Sequence, residues 1–251
     1  MKERESVLGV GVSPVSMEQA LEKIAAWIAR REATYVCCAP VHSIMDCLED
    51  EGLRAIFNAS GMTTPDGMPL VWYLLARGHR HVERVYGPDL MLAFCERSQA
   101  RGYRHFFYGG EEATLKALAA KMRACFPGLG IAGVLAPPFR PLTADEDVEI
   151  CERIRKARAD VVWVGLGSPK QERWMAEHVG RVGAPVLIGV GAAFDFLSGR
   201  KRQAPRWVQR SGLEWLFRLI QEPRRLWPRY RKYPRFIFLL AMECFRTRGG
   251  R

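Results

Sequence analysis

Short apolar runs of strand period alternate along this chain with stretches of helical period, and that alternation limits its fold more than any single motif. Residues 34–38, 104–108, 131–135, 160–164 and 185–190 read as strands, rich in β-branched, aromatic and other apolar side chains. Ser16-Met17-Glu18-Gln19 forms a capping box that opens a helix to about Arg31, with Ala20, Leu21, Ile24 and Ile28 on one face. A helix follows the first strand through Leu48, and residues 68–77, 111–126, 143–157 and 170–179 read as further helices. Met62-Thr63 closes a short apolar stretch ahead of Pro65-Asp66-Gly67. Parallel strands need long crossovers, so strands separated by helices imply an α/β fold built on a doubly wound, mostly parallel sheet. Ligands of such sheets bind beyond the carboxyl ends of the strands. No solenoid repeat or low-complexity linker interrupts the pattern.

Beyond residue 199 the alternation stops. Residues 200–251 hold fifteen Lys/Arg against three Asp/Glu, a balance of +12 in a chain whose net charge is +11, so residues 1–199 carry −1. The expected division is a core, 1–199, and a basic, Trp- and Arg-rich appendage, 200–251. Charge concentrated in this way calls for an anionic partner, nucleic acid or a membrane surface. Trp207, Trp215, Trp227, Tyr230 and Tyr233 interleave with arginines, residues 213–220 are amphipathic, and 236–242 are apolar between Arg235 and Arg246. Such a mixture suits helices lying in a headgroup plane, and its apolar content exceeds what nucleic acid needs. The same Leu and Phe positions also suit a helical cap on the chain's own core. No run approaches the ~20 apolar residues of a membrane span, and no cleavage site follows the first residues. A peripheral protein of the cytoplasmic membrane face, with no nucleic-acid partner, is expected. The seven cysteines (37, 38, 47, 95, 125, 151 and 244) include no C-x-x-C pair, which favours buried free thiols in a reducing compartment over disulfides or zinc.

Four turns carry candidate chemistry. Gly165-Leu166-Gly167-Ser168-Pro169-Lys170-Gln171-Glu172 follows a strand and opens a helix, so small residues, the helix dipole and Lys170 converge where an anion can bind. Tyr108-Gly109-Gly110 is a second such turn; both are also ordinary strand-to-helix turns. Asp66, between Pro65 and Gly67, lies just past a strand and before an apolar helix, where a carboxylate can act as a general base or simply cap the turn. Asp195 follows Gly189-Val190-Gly191 and can accept from a ribose or a base edge, or cap the strand end. Asp145-Glu146-Asp147 matches an acidic pattern used for divalent metals. Thr143 reads as an N-cap ahead of it, so first-turn acids complementing the dipole explain it and no metal is expected.

These motifs, in order over nearly the whole chain, resemble the WecG/TagA/CpsF glycosyltransferases (glycosyltransferase family 26). The residues that carry the resemblance are 64–72, 87–90, Phe107-Tyr108-Gly109-Gly110, 137–139, 165–172, 189–199, Ala204-Pro205-Arg206-Trp207, Gly212-Leu213-Glu214-Trp215 and Glu222-Pro223-Arg224-Arg225. The resemblance implies a Rossmann-like fold. It implies inverting transfer of a hexose-type residue (N-acetylmannosamine, its uronic acid, or glucose) from a UDP-sugar to an undecaprenyl-diphosphate-linked saccharide in cell-surface polysaccharide synthesis. No cofactor or obligatory metal is implied. Asp66 would be the base. Tyr108, Gly109, Gly110, Gly165, Gly167, Lys170, Gln171 and Asp195 would hold the nucleotide, and the appendage would bind the membrane and lend Arg218, Arg224 and Arg225 to the acceptor or diphosphate. A homo-oligomer is compatible with this reading.

One departure bears on specificity. Where the family carries polar side chains after its first strand, this chain has Cys37-Cys38-Ala39-Pro40-Val41-His42. Cys38 and Pro40 take those positions, and a thiol and a proline cannot make the same hydrogen bonds to a sugar, with His42 a partial substitute for an acceptor contact. Two rival classes frame the expectation. A nucleotide-cofactor oxidoreductase lacks its G-x-G-x-x-G after the first strand, and a non-enzymatic membrane- or RNA-binding adaptor would use the basic tail alone.

Overall fold

The computed structural model describes residues 4–248, with side chains to residue 243. Of the sequence readings, the Cys244 thiol and the charges of Arg246, Arg248 and Arg251 lie outside the described residues. The elements run β1 (Glu5–Val7), β2 (Val10–Val12), α1 (Met17–Arg30), β3 (Thr34–Ala39), α2 (Val41–Glu49), α3 (Glu51–Ala59), β4 (Met62–Pro65), α4 (Met68–Ala76), α5 (Gly87–Ser98), β5 (Arg104–Tyr108), α6 (Glu112–Cys125), β6 (Gly130–Leu135), α7 (Ala144–Lys156), β7 (Val161–Val164), α8 (Lys170–His178), β8 (Val186–Gly189) and α9 (Ala193–Leu197). Four C-terminal helices follow: α10 (Arg206–Arg210), α11 (Glu214–Gln221), α12 (Pro223–Tyr230) and α13 (Tyr233–Arg248).

Six strands form one parallel sheet in the order β4-β3-β8-β7-β5-β6, while β1 and β2 make a separate antiparallel hairpin. Strands β3, β4, β7 and β8 are buried on both faces, as is β5 after Arg104, which is why they read as continuous apolar runs, while the edge strand β6 is half-buried up to Leu135. In β3, Tyr35, Cys37 and Ala39 join one apolar layer with α2, α3, α4, α7 and α8. Val36 and Cys38 point into the other layer, with α1, α5, α6 and α9. This is the doubly wound α/β arrangement that the alternation predicts, and the Rossmann-like fold that the resemblance implies.

The chain leaves β3 for one layer and its neighbour β8 for the other, so a crevice opens between their carboxyl ends. Local signals hold up. The Ser16 hydroxyl accepts from the Gln19 N–H at the start of α1, and Thr143 forms the same capping box with Glu146 on α7. The hairpin, α3 and α5 have no counterpart in the sequence reading. Three-residue strands are too short to display a period, and Gly87-Pro88 at the start of α5 imitates a turn although Leu90, Met91, Phe94 and Cys95 are buried at helical spacing.

Candidate active site

A cleft of about 470 Å³ opens at the carboxyl ends of β3, β4, β5, β7 and β8. It brings together Cys38 near the end of β3, His42 at the start of α2, Asp66 beyond β4, Gly110 beyond β5, Gly165 and Gly167 in the β7–α8 turn, and Lys170 and Gln171 at the start of α8. Asp195 on α9, Arg218 on α11 and Arg225 on α12 complete the set. Residues as far apart in sequence as Cys38 and Arg225 thus share one cavity because the strand order places these turns side by side. Tyr108, Gly109 and Arg224 lie outside its lining. Tyr108 is buried with its ring centroid 4.4 Å from that of Trp174. Gly109, at φ 115°, permits close approach of two strand ends: a Cβ there would sit 2.7 Å from the Gly165 carbonyl carbon. Arg224 is exposed, about 100° around α12 from Arg225.

Asp66 is fixed from both sides of its turn. Its N–H donates to the Ala39 carbonyl at the end of β3, and the Gly87 N–H approaches its Oδ2 at 3.5 Å. Its side chain is 16% exposed, opening toward the cleft and toward a smaller pocket of about 50 Å³ beneath the C-terminal helices. Burial raises its carboxyl to about 6; Arg84 pulls the other way and Glu214 adds to the rise. Such a group is largely ionised at neutral pH yet far more basic than an ordinary carboxylate, as proton abstraction requires.

The cleft lining also carries cations. Arg218, Arg225 and Arg229 from α11 and α12 line the cleft with Lys170. Arg229 is the residue that sequence reasoning missed; it stands one turn beyond Arg225 on the same face of α12. His42 sits among these charges. Burial, followed by Arg229, Arg218 and Lys232, pulls its imidazole down to about 3, so it is neutral at pH 7. Its Nδ1 is buried and has no hydrogen-bond partner among the described residues. Cys38 is nearly buried, and desolvation holds its thiol protonated.

Gln171 is 3% exposed and already engaged: its Oε1 accepts from the Gly191 N–H at 2.9 Å and its Nε2 donates to Glu172 Oε1 at 2.9 Å. It thereby ties the β7–α8 turn to the β8–α9 turn. Asp195 pairs with Lys201 at 3.2 Å, and Lys201 also meets Glu222 at 3.0 Å. Among the described residues, Asp147, Cys151 and His178 are a group whose donor atoms come together as metal ligands would. Both Asp147 oxygens are engaged, with His178 Nε2 and Arg181 Nη2 at 2.6 Å each, and none of the three residues lines the cleft.

The C-terminal helices are held to the sheet by apolar and ionic contacts. Leu226 and Phe236 are buried, and Lys232 reaches Asp46 at 2.7 Å and Glu49 at 2.8 Å. Arg206 pairs with Asp89 at 2.7 Å. Outward, Trp207, Ile220, Trp227, Ile237 and Phe238 are each more than half exposed. The tail is therefore a cap on the core and also presents an apolar, basic surface. No helix among the described residues is long and apolar enough to cross a membrane.

The chain is 28% identical over 196 residues to the N-acetylglucosaminyldiphosphoundecaprenol N-acetyl-beta-D-mannosaminyltransferase of Bacillus subtilis (strain 168), covering 78% of this chain and 74% of that one. It is 25% identical over 211 residues to the protein of the same name from Bacillus spizizenii (strain ATCC 23059 / NRRL B-14472 / W23), covering 84% and 80%. The sequence model of the glycosyl transferase WecG/TagA/CpsF family matches residues 5–250, and the chain belongs to that family.

Proposed function

We propose that this glycosyltransferase moves a hexose-type residue, N-acetylmannosamine in the first instance, from a UDP-sugar to a saccharide carried on undecaprenyl diphosphate, with inversion at the anomeric carbon. The observation that carries the reading is one carboxylate of raised basicity, Asp66, sharing a cleft at the strand ends with four cations. Its volume falls within the ~300–1,000 Å³ range of small-molecule sites. The names of both Bacillus relatives supply the sugar and the lipid carrier.

In this mechanism the Asp66 carboxylate takes the proton of the acceptor hydroxyl as that oxygen attacks the anomeric carbon. The bond from that carbon to the diphosphate oxygen breaks, and its electron pair leaves on UDP. Charge developing on the diphosphate is met by Lys170, Arg218, Arg225 and Arg229 and by the N-terminus of α8, so the reaction invokes no metal or other cofactor. Asp195 serves the nucleoside end, and Gln171 keeps the two glycine turns in register. The exposed aromatics of the C-terminal helices rest on the cytoplasmic face of an anionic membrane, bringing the cleft to its lipid acceptor.

The test is a panel of UDP-sugars with a short-chain polyprenyl-diphosphate N-acetylglucosamine acceptor, products being weighed by mass spectrometry. Asp66→Asn should bind UDP as the native chain does and lose at least about 10²-fold in turnover. Wild-type turnover in that variant would remove Asp66 as the base.

A further inference from the structure

Helix α11 brings a second charged side chain to the site besides Arg218. Glu214 is 8% exposed, and its Oε2 lies 2.5 Å from Nη2 of Arg84. The same Nη2 stands 3.7 Å from Asp66 Oδ1. Arg84 is otherwise held by its Nε, which donates to the Asp66 backbone carbonyl, and by the Tyr86 ring, whose centroid is 4.1 Å from the guanidinium carbon. One terminal nitrogen thus faces two carboxylates, one from the core and one from the C-terminal helices, and the nearer belongs to the C-terminal helices. Arg84 and Glu214 both line the small pocket into which Asp66 opens.

We infer that Glu214 is a positioning residue for the proton transfer: by taking the near end of Arg84 it keeps the guanidinium from closing on Asp66 and leaves that carboxylate open to the acceptor hydroxyl when α11 is packed on the core. The inference rests on Asp66 being the base. Guanidinium and carboxylate form paired, charge-assisted hydrogen bonds when nothing competes, and a carboxylate so engaged is a poor base. Glu214 is that competitor. Arg84 in turn prevents two carboxylates from facing each other unpaired.

The other titratable groups around Asp66 stay neutral where it ionises. Cys38 and Tyr86 are raised by burial, as are Tyr230 and Tyr233 on α12 and α13, and His42 is lowered by burial and by the arginines. The charges left to tune it are Arg84, Glu214 and Arg218.

The test is the pH dependence of kcat/KM for the full chain, using the donor selected by the panel above, in Glu214→Gln and Arg84→Gln beside the native protein. Glu214→Gln keeps the side-chain size, removes the competing charge and should move the acidic limb to lower pH by about half to one unit. Plateau turnover should fall by roughly three- to tenfold, because the base weakens, and UDP binding should be unchanged. Glu214→Asp should restore the native limb at least in part. Arg84→Gln should move the limb to higher pH. Shifts of opposite sign are not what loosened docking of a helix would produce. An acidic limb in Glu214→Gln that superposes on the native one, with or without lower turnover, overturns the inference. Should that variant fail to fold, Arg84→Gln decides in the same way. Asp66→Asn in the same series separates the two layers. If it retains native turnover the base assignment fails, whereas if it is inactive and the limb of Glu214→Gln is unmoved only the role of Glu214 fails.

Discussion

The base proposed here should make the folded chain less stable than it could be. A carboxyl that titrates near 6 rather than 3.8 binds its proton more tightly in the folded chain by about 3 kcal/mol, at 1.36 kcal/mol per pH unit. The raised folded-state value means that the stabilising contribution is present when Asp66 is protonated and is lost as pH rises through about 6. Asparagine imitates the protonated carboxyl at all pH values. Asp66→Asn should therefore be more stable than the native chain by about 3 kcal/mol above pH 7, and by only about 0.5 kcal/mol at pH 4. Removing the charge leaves no stranded cation, because Arg84 retains Glu214 at 2.5 Å. In a chain of 251 residues the gain corresponds to a Tm rise of roughly 6–12 °C at pH 8.

Urea denaturation of both proteins at pH 8, 6 and 4, followed by far-UV circular dichroism, reads the difference directly. Greater stability with lost turnover would mark Asp66 as a residue kept for chemistry at the expense of folding. A difference that does not change with pH, or an Asp66→Asn chain less stable at pH 8, would refute the reasoning. The carboxylate would then be a structural partner of Arg84.

Three further outcomes follow from the same geometry. Arg229→Gln should slow transfer about tenfold or more and raise the His42 pKa, since Arg229 is the foremost of the charges depressing it; histidine resonances followed by NMR against pH check the second effect. Replacing Ile220 and Trp227 together by serine should weaken co-sedimentation with anionic vesicles and leave UDP affinity unchanged, both side chains being exposed and outside the cleft lining. Transfer should persist after exhaustive chelation, and activity abolished by chelator and restored by a divalent ion would assign the charge stabilisation to a metal instead of the arginines.

How much of this was legible in the sequence depended on the length of the signal. Strands buried on both faces leave uninterrupted apolar runs, so β3, β5, β7 and β8 stand out and their alternation with helices gives the fold class. The hairpin, three residues to a strand, has nothing to repeat. Helix α5 opens on Gly87-Pro88, residues that are turn formers in isolation but acceptable in a first helical turn, where the missing Pro N–H is not needed.

Within the site, legibility followed locality. Turns that end a strand and begin a helix announce themselves, and Asp66, Lys170 and Asp195 could be singled out because each lies within a few residues of such a turn. Helical spacing inside the tail also held information: once residues 223–230 are taken as one helix, Arg225 and Arg229 share a face and Arg224 does not. What no local pattern could supply is the meeting of Arg84 with Glu214, 130 residues apart and on elements that touch only after the sheet is built and α11 is packed on it. Arg84 lies in a loop between α4 and α5, and Glu214 looks like any first-turn acid complementing a helix dipole. Their pairing gives the C-terminal helices a stake in the basicity of a carboxylate at the carboxyl end of the edge strand β4. Under the proposed function, a tail that both lines the cleft and tunes its base would make catalysis depend on the same packing that presents Ile220 and Trp227 to the outside, and membrane contact and proton transfer would share one structural element.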